Sequence, residues 1–240
     1  MTKKQVFRQV VVLGADCRSK FHVQRVFGSL KGGKRGVFDW QGTPGETLME
    51  YLRRDFTGMF ERQDLQVSDE GHVVNRRFGS SHKHAFPKHL SEAELDLLYP
   101  AARALHDHWC SVTKEAIGNR LSTLFVTSSA DFPLKDVEQL IAARYPQKTF
   151  HILAAPGNDD NGDPFGDPDV WTQHLSRFEI VPPLSARALF LAHRLRKNLR
   201  FLAPPSWRER AAMPSPYASL WLWLRYHNPA SAHKIGAAPD

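Results

Sequence analysis

Two cysteines, Cys17 and Cys110, are all that the 240 residues contain. That count rules out a disulfide framework and any four-cysteine metal site. Long apolar runs are missing as well. The most apolar late run, Leu220 to Leu224, falls far short of a membrane span. Near the N-terminus, Lys3, Lys4 and Arg8 precede an apolar stretch of only Val10 to Leu13, too short for the core of a secretory signal. The expected location is therefore the cytoplasm. Leu13-Gly14-Ala15-Asp16 lacks the two further glycines of a dinucleotide fingerprint, and no internal repeat is found. Acidic residues are in the minority, 25 against 32 Lys and Arg, which gives a net charge of +7. This surplus suits an anionic partner such as phosphate, CoA, an acidic glycan or nucleic acid without choosing among them.

What is present is ordinary globular material, 42% hydrophobic and 24% charged. Gln9 to Gly14 reads as a buried strand ended by glycine. Cys17 to Leu30 has helical spacing, with Phe21, Val23, Val26, Phe27 and Leu30 apolar. A second helix is expected from about Pro44 to Phe60. Short strands or a hairpin follow at Leu65 to Val67 and His72 to Phe78, before the histidine-rich loop Ser81 to His89. Ser91 and Glu94 have capping-box spacing and open a helix that runs to about Ile117 despite Pro100. Strands at Ser122 to Thr127, Thr149 to Ala154 and Phe178 to Val181 alternate with helices at Leu134 to Tyr145 and about Pro168 to Arg177. Such alternation predicts an α/β fold: a three-layer, mainly parallel, Rossmann-like sheet with flanking helices.

Leu184, Ala188, Leu191, Leu195, Leu199 and Leu202 mark one face of a further helix, with Arg194, Arg196, Lys197 and Arg200 opposite. Its expected role is to bury the leucine stripe while the cations face water. Residues 1–202 are expected to form one α/β domain, and the Pro- and aromatic-rich residues 203–240 an extension that packs on it with a frayed end.

The residue singled out for chemistry is Cys17, placed where the first strand turns into the first helix. A helix N-terminus supplies N–H groups and partial positive charge that lower a thiol pKa, and Arg18 and Lys20 are positioned in sequence to add to that field. The same amides, with Gly14, would hold an oxyanion. In a parallel sheet this turn lies at the carboxyl edge, where ligand sites gather. Cys110, within a helical stretch, reads as a small buried hydrophobe. A nucleophilic cysteine needs a histidine and a group to orient it. Among 12 histidines, His82 and His84 share a turn, His22 would point away from the thiol, and His106 and His108 belong to the long helix. Asp39, inside Phe38-Asp39-Trp40, would need a buried partner.

Three elements taken together, Leu13-Gly14-Ala15-Asp16-Cys17, Val37-Phe38-Asp39-Trp40 and His84-Ala85-Phe86, resemble a bacterial family described as papain-like cysteine peptidases. The resemblance covers roughly Val10 to Trp171. The family often has Asp where Ala85 stands, and a late Trp such as Trp171 is typical. The resemblance implies a cysteine-dependent hydrolase with Cys17 as nucleophile and His84 as base. Asp39 is the first choice of orienting residue, with Asp131 and Asp169 as alternatives. Arg18, Trp40 and His82 join Gly14 as expected substrate-binding residues for a peptide, acyl or glycan substrate. The alternating strands and helices are not the papain-type layout. The strand-turn-nucleophile-helix order also resembles acyl-transfer enzymes, including a CoA-dependent acyltransferase of polysaccharide biosynthesis, which would use the same pair with CoA as cofactor and the 194–200 cations as its phosphate partners. A third alternative is a non-catalytic protein binding an anionic glycan or nucleotide.

Two further motifs are discounted. His82, His84 and His89 lack a nearby carboxylate or thiolate to complete a metal site, so no metal is expected. In the acidic loop from Asn158 to Asp169, Val170 stands where a calcium loop starting at Asp159 requires a bidentate Glu.

Overall fold

The computed structural model describes residues 4–33, 35–128, 133–156, 165–188 and 191–192. Its strands are β1 (Gln5–Phe7), β2 (Gln9–Val12), β3 (Leu65–Val67), β4 (Val73–Asn75), β5 (Thr123–Val126), β6 (Phe150–Leu153) and β7 (Phe178–Ile180). The helices are α1 (Arg18–Lys31), α2 (Gly45–Arg53), α3 (Glu92–Gly118), α4 (Leu134–Arg144) and α5 (Pro168–Leu175). The fold is mixed α/β with mostly parallel strands. β5 lies between β2 and β6, both parallel to it, while β1 pairs in parallel with β7. Only the β3–β4 hairpin is antiparallel among the described strands. β1 and β2 are one run of chain jogged at Arg8, whose N–H turns to the Ser122 carbonyl, so the first half meets β7 and the second meets β5.

The β-branched run Val10-Val11-Val12 explains β2, and the fully buried Thr123–Val126 explains why β5 is central. Side-chain alternation sends Phe125 into one core with Leu13, Phe38, Tyr51, Ile117 and Ile141, against α2, α3 and α4. Leu124 and Val126 enter another, with Val12, Val23, Leu153, Trp171 and Leu175, against α1 and α5. A third cluster joins the β3–β4 hairpin and the histidine loop to the first half of α3 through Phe60, Leu65, Val73, Phe86, Leu95 and Leu98. α3 therefore bridges the hairpin and the sheet. The Ser91–Glu94 capping box starts it, and exposed Pro100 is tolerated because the carbonyl it leaves unbonded can meet water. Its far end is sealed by Lys148 Nζ, which donates to Ala116 O (3.1 Å) and Asn119 O (2.8 Å), and by Gln9 Nε2 on Ala116 O (2.6 Å). Burial pushes the Lys148 ammonium down to about 8.

One local expectation fails, and one strand goes unread. The second helix stops at Arg53 instead of reaching Phe60, because Asp55 (φ 54°) and Phe56 (φ 66°) adopt left-handed backbone. Lys114 and Arg144 hold the Asp55 carboxylate there. β1, with only three residues and an exposed first half, carries too little pattern to be recognised from sequence. In the 184–202 segment, Leu184 and Leu191 are 78% and 55% exposed. The 194–200 cations and residues 203–240 lie outside the described residues. Among the described residues, no helix is long and apolar enough to cross a membrane.

One buried ion pair ties α1 to the turn that follows it. Lys20 Nζ lies 2.8 Å from Asp39 Oδ2, and both side chains are 2% exposed. Lys20 also reaches Gly32 O (3.3 Å), and Asp39 Oδ2 accepts from Gly36 N (3.0 Å). Removing one partner strands the other charge in the interior. Lys20→Met is therefore expected to destabilise the fold by about 3–5 kcal/mol in urea denaturation, and adding Asp39→Leu should recover most of that loss. A Lys20→Met chain as stable as the parent would show that the pair does not hold this junction.

Candidate active site

Cys17 occupies the N-cap position of α1 with backbone φ −78° and ψ −8°, and its thiol is half-buried. Gly14 makes the turn before it, at φ 88°. A side chain there would meet Thr43, with a Cβ only 3.0 Å from Thr43 Cβ. Gly14 is buried and its carbonyl accepts from Ser128 N (3.0 Å) and Ser19 Oγ (3.3 Å), which fixes the turn.

The electrostatic setting of Cys17 differs from the expectation. Burial, and then the Asp16 carboxylate, push the thiol pKa up from its ordinary value. The Cys17 backbone N–H, Arg18 and Lys83 oppose the rise without reversing it. Burial is the larger cause, and Asp16 adds to it by taking up the charge of the helix start. Its Oδ1 accepts the first helical amide, Arg18 N (2.8 Å), and its Oδ2 holds Arg18 Nε at 2.9 Å. Arg18 also donates to Ser128 O (3.1 Å). Lys20 is turned away altogether, into its pair with Asp39.

A short run of antiparallel bridges connects this turn to the histidine loop. Thr43 N donates to Ala15 O (2.7 Å), and Gly42 and Ser81 exchange both backbone hydrogen bonds at 2.9 Å. Ser81 in turn bridges Val74 on the hairpin. The turn at Lys83–His84 thus projects from a frame bonded, through these bridges, to the residue two before Cys17. His84 is exposed and meets the edge of Trp40 (ring centroids 5.5 Å, 76°). No hydrogen bond joins it to Cys17 Sγ among the described residues.

His82 and Asp39 leave the list of expected site residues. His82 is 3% exposed; its Nε2 sits 3.1 Å from Ser80 Oγ and its ring meets Phe60 edge-on at 4.7 Å. It is a core residue that lines a cavity apart from Cys17. Asp39 faces Lys20 and the Gly36 amide, which leaves it unsuited to orient His84. Of the alternatives, Asp169 lies 3.8 Å from Arg25 with its side chain in solvent, and Asp131 lies outside the described residues. Trp171 is buried and stacks on His22 at 4.9 Å. Among the described residues, no group of three His, Cys, Asp or Glu side chains converges to hold a metal.

One thiol–imidazole contact was missed from the sequence, where Cys110 and His106 are separated by one helical turn of α3. Cys110 Sγ lies 3.6 Å from His106 Nδ1, and His106 Nε2 meets the Tyr51 hydroxyl at 2.7 Å. His106 also stacks on Phe60 at 4.5 Å. Burial pushes the Cys110 thiol and the Tyr51 phenol up and His106 down to about 4, so the cluster is neutral and structural. Comparison of the chain with family models, with curated proteins and with solved structures finds no match.

The two buried imidazoles make stability pH-dependent. His82 is pushed down to about 3 and His106 to about 4, while the unfolded chain binds their protons below about 6.5. Their contribution is complete above that pH and is lost as the pH falls from it toward 4. The expected slope is on the order of 1.4 kcal/mol per pH unit for each ring. Urea denaturation at pH 7 and pH 5 measures it, and His106→Gln should shrink the difference between the two. An unchanged difference would contradict the buried, neutral assignment.

Proposed function

We propose that the chain is a cysteine-dependent acyl-group hydrolase, with Cys17 as nucleophile and His84 as base, built on a three-layer, Rossmann-like arrangement. The observation that carries the reading is the bridge run Ala15–Thr43 and Gly42–Ser81, which sets the Cys17 turn and the His84 turn in one frame. The resemblance of the Leu13–Cys17, Val37–Trp40 and His84–Phe86 elements to papain-like cysteine peptidases supports the same pair. Trp40, expected from the sequence to bind substrate, meets His84 edge-on, and on this reading that contact orients the imidazole in place of a carboxylate.

The raised thiol pKa defines the order of events. Cys17 rests as the neutral thiol, so His84 takes the proton as sulfur attacks the substrate carbonyl. The carbon–sulfur bond forms, the bond to the leaving group breaks, and the imidazolium returns its proton to that group. Water, deprotonated by His84, then attacks the thioester and releases the acid and the thiol. With an acyl acceptor in place of water the same steps give a transferase, the role in which CoA would enter.

One observation favours a non-catalytic anion-binding protein instead. The thiol is not activated at rest, and among the described residues no hydrogen bond reaches it from a histidine. Hydrolysis of a chromogenic ester such as p-nitrophenyl butyrate separates the readings. Cys17→Ala should reduce turnover to background, and His84→Gln should lower kcat about 100-fold or more. Thermal stabilisation by CoA would favour transfer over hydrolysis. Ester turnover that persists in Cys17→Ala, or that the parent chain never shows, would overturn the enzymatic reading.

A further inference from the structure

A cavity of about 360 Å³ opens between the 35–41 segment, the histidine turn and α3. Its size is that of a small-molecule site. Cys17 is not among its lining residues, so it is distinct from the thiol and shares only His84 and Trp40 with the proposed catalytic frame. The floor is closed and neutral, made by Phe60 with His82 at 4.7 Å and His106 at 4.5 Å. The mouth is aromatic on two sides. Trp40 pairs with His84, and Trp109, also in the lining, pairs edge-on with His108 at 4.6 Å.

Charge and hydrogen bonding narrow the occupant. Among the described residues, no carboxylate lines the cavity. The Arg35 guanidinium lies 5.0 Å from the Trp109 ring centroid, and among the described residues it makes no hydrogen bond. Asp39, whose field it feels, is already held by Lys20. Paired aromatic walls alone would also suit a quaternary ammonium, but the guanidinium repels one. A planar fork of donors beside indole faces instead matches an oxyanion carried on a flat ring.

We propose that this cavity binds a small planar aromatic carboxylate, its ring between Trp40 and Trp109 and its carboxylate on Arg35. The inference does not depend on Cys17 chemistry.

Calorimetric titration of the full chain with 2-naphthoate, 2-naphthamide and cyclohexanecarboxylate tests it. The expected result is one naphthoate site, with the neutral amide and the ring without a π face each at least about tenfold weaker. Arg35→Gln should weaken naphthoate about tenfold and leave the amide unchanged, whereas Trp109→Leu should weaken both. Cys17→Ala should bind naphthoate like the parent, even where it abolishes ester turnover. Absence of naphthoate binding at about 1 mM, or an affinity that Arg35→Gln does not alter, would overturn the proposal.

Discussion

The Lys20–Asp39 pair is the contact on which the rest of the site depends. Two opposite charges 2.8 Å apart, each 2% exposed, are stable only together, because either alone would sit uncompensated in the interior. The pair fastens the first turn of α1 to the Phe38-Asp39-Trp40 turn. Everything beyond that turn inherits its position: Trp40 at the cavity mouth, Gly42 on Ser81, and Thr43 on Ala15. An acid inside an apolar triplet was rightly expected to need a buried partner. That partner is the lysine that local sequence assigned to the thiol.

This reassignment decides the chemistry of Cys17. With Lys20 withdrawn and Arg18 bound to Asp16, the positive field of the helix start is largely neutralised before it reaches sulfur. Burial then dominates, and the thiol stays protonated. A cysteine in this state acts as a nucleophile only with a base that takes its proton during attack, the role the proposed function gives to His84. The remaining histidines near it divide by burial. His82 and His106 are held neutral among Phe60 and Tyr51, where they fill space and fix the floor of the cavity. His84 and His108 stay at the surface on tryptophan edges.

Sequence reached the parts of this arrangement that are local. The valine run of β2, the capping box of α3 and the alternation of strands with helices follow from short-range periodicity, and each appears with its ends shifted by a few residues. Cys110 as a buried hydrophobe was equally legible. What escaped depends on chain segments that meet only in the fold. Asp55 is held by Lys114 and Arg144 from two distant helices, which ends α2 early. His82 and His84 look alike in a six-residue window, yet the strand-like backbone at Ser81 sends one inward to Phe60 and leaves the other in solvent. Arg35 and Trp109, far apart in sequence, carried no signal until the cavity brought them together.

The central claim is that Cys17 forms the covalent acyl intermediate. Mass analysis of the chain quenched in acid during ester turnover tests it without reliance on rates. The account predicts one acyl group, mapped to the peptide that contains Cys17, lost in Cys17→Ala and unable to form on Cys110, a residue 4% exposed. An acyl group on a lysine or on Cys110, or turnover with no acyl-chain adduct at any quench time, would contradict it.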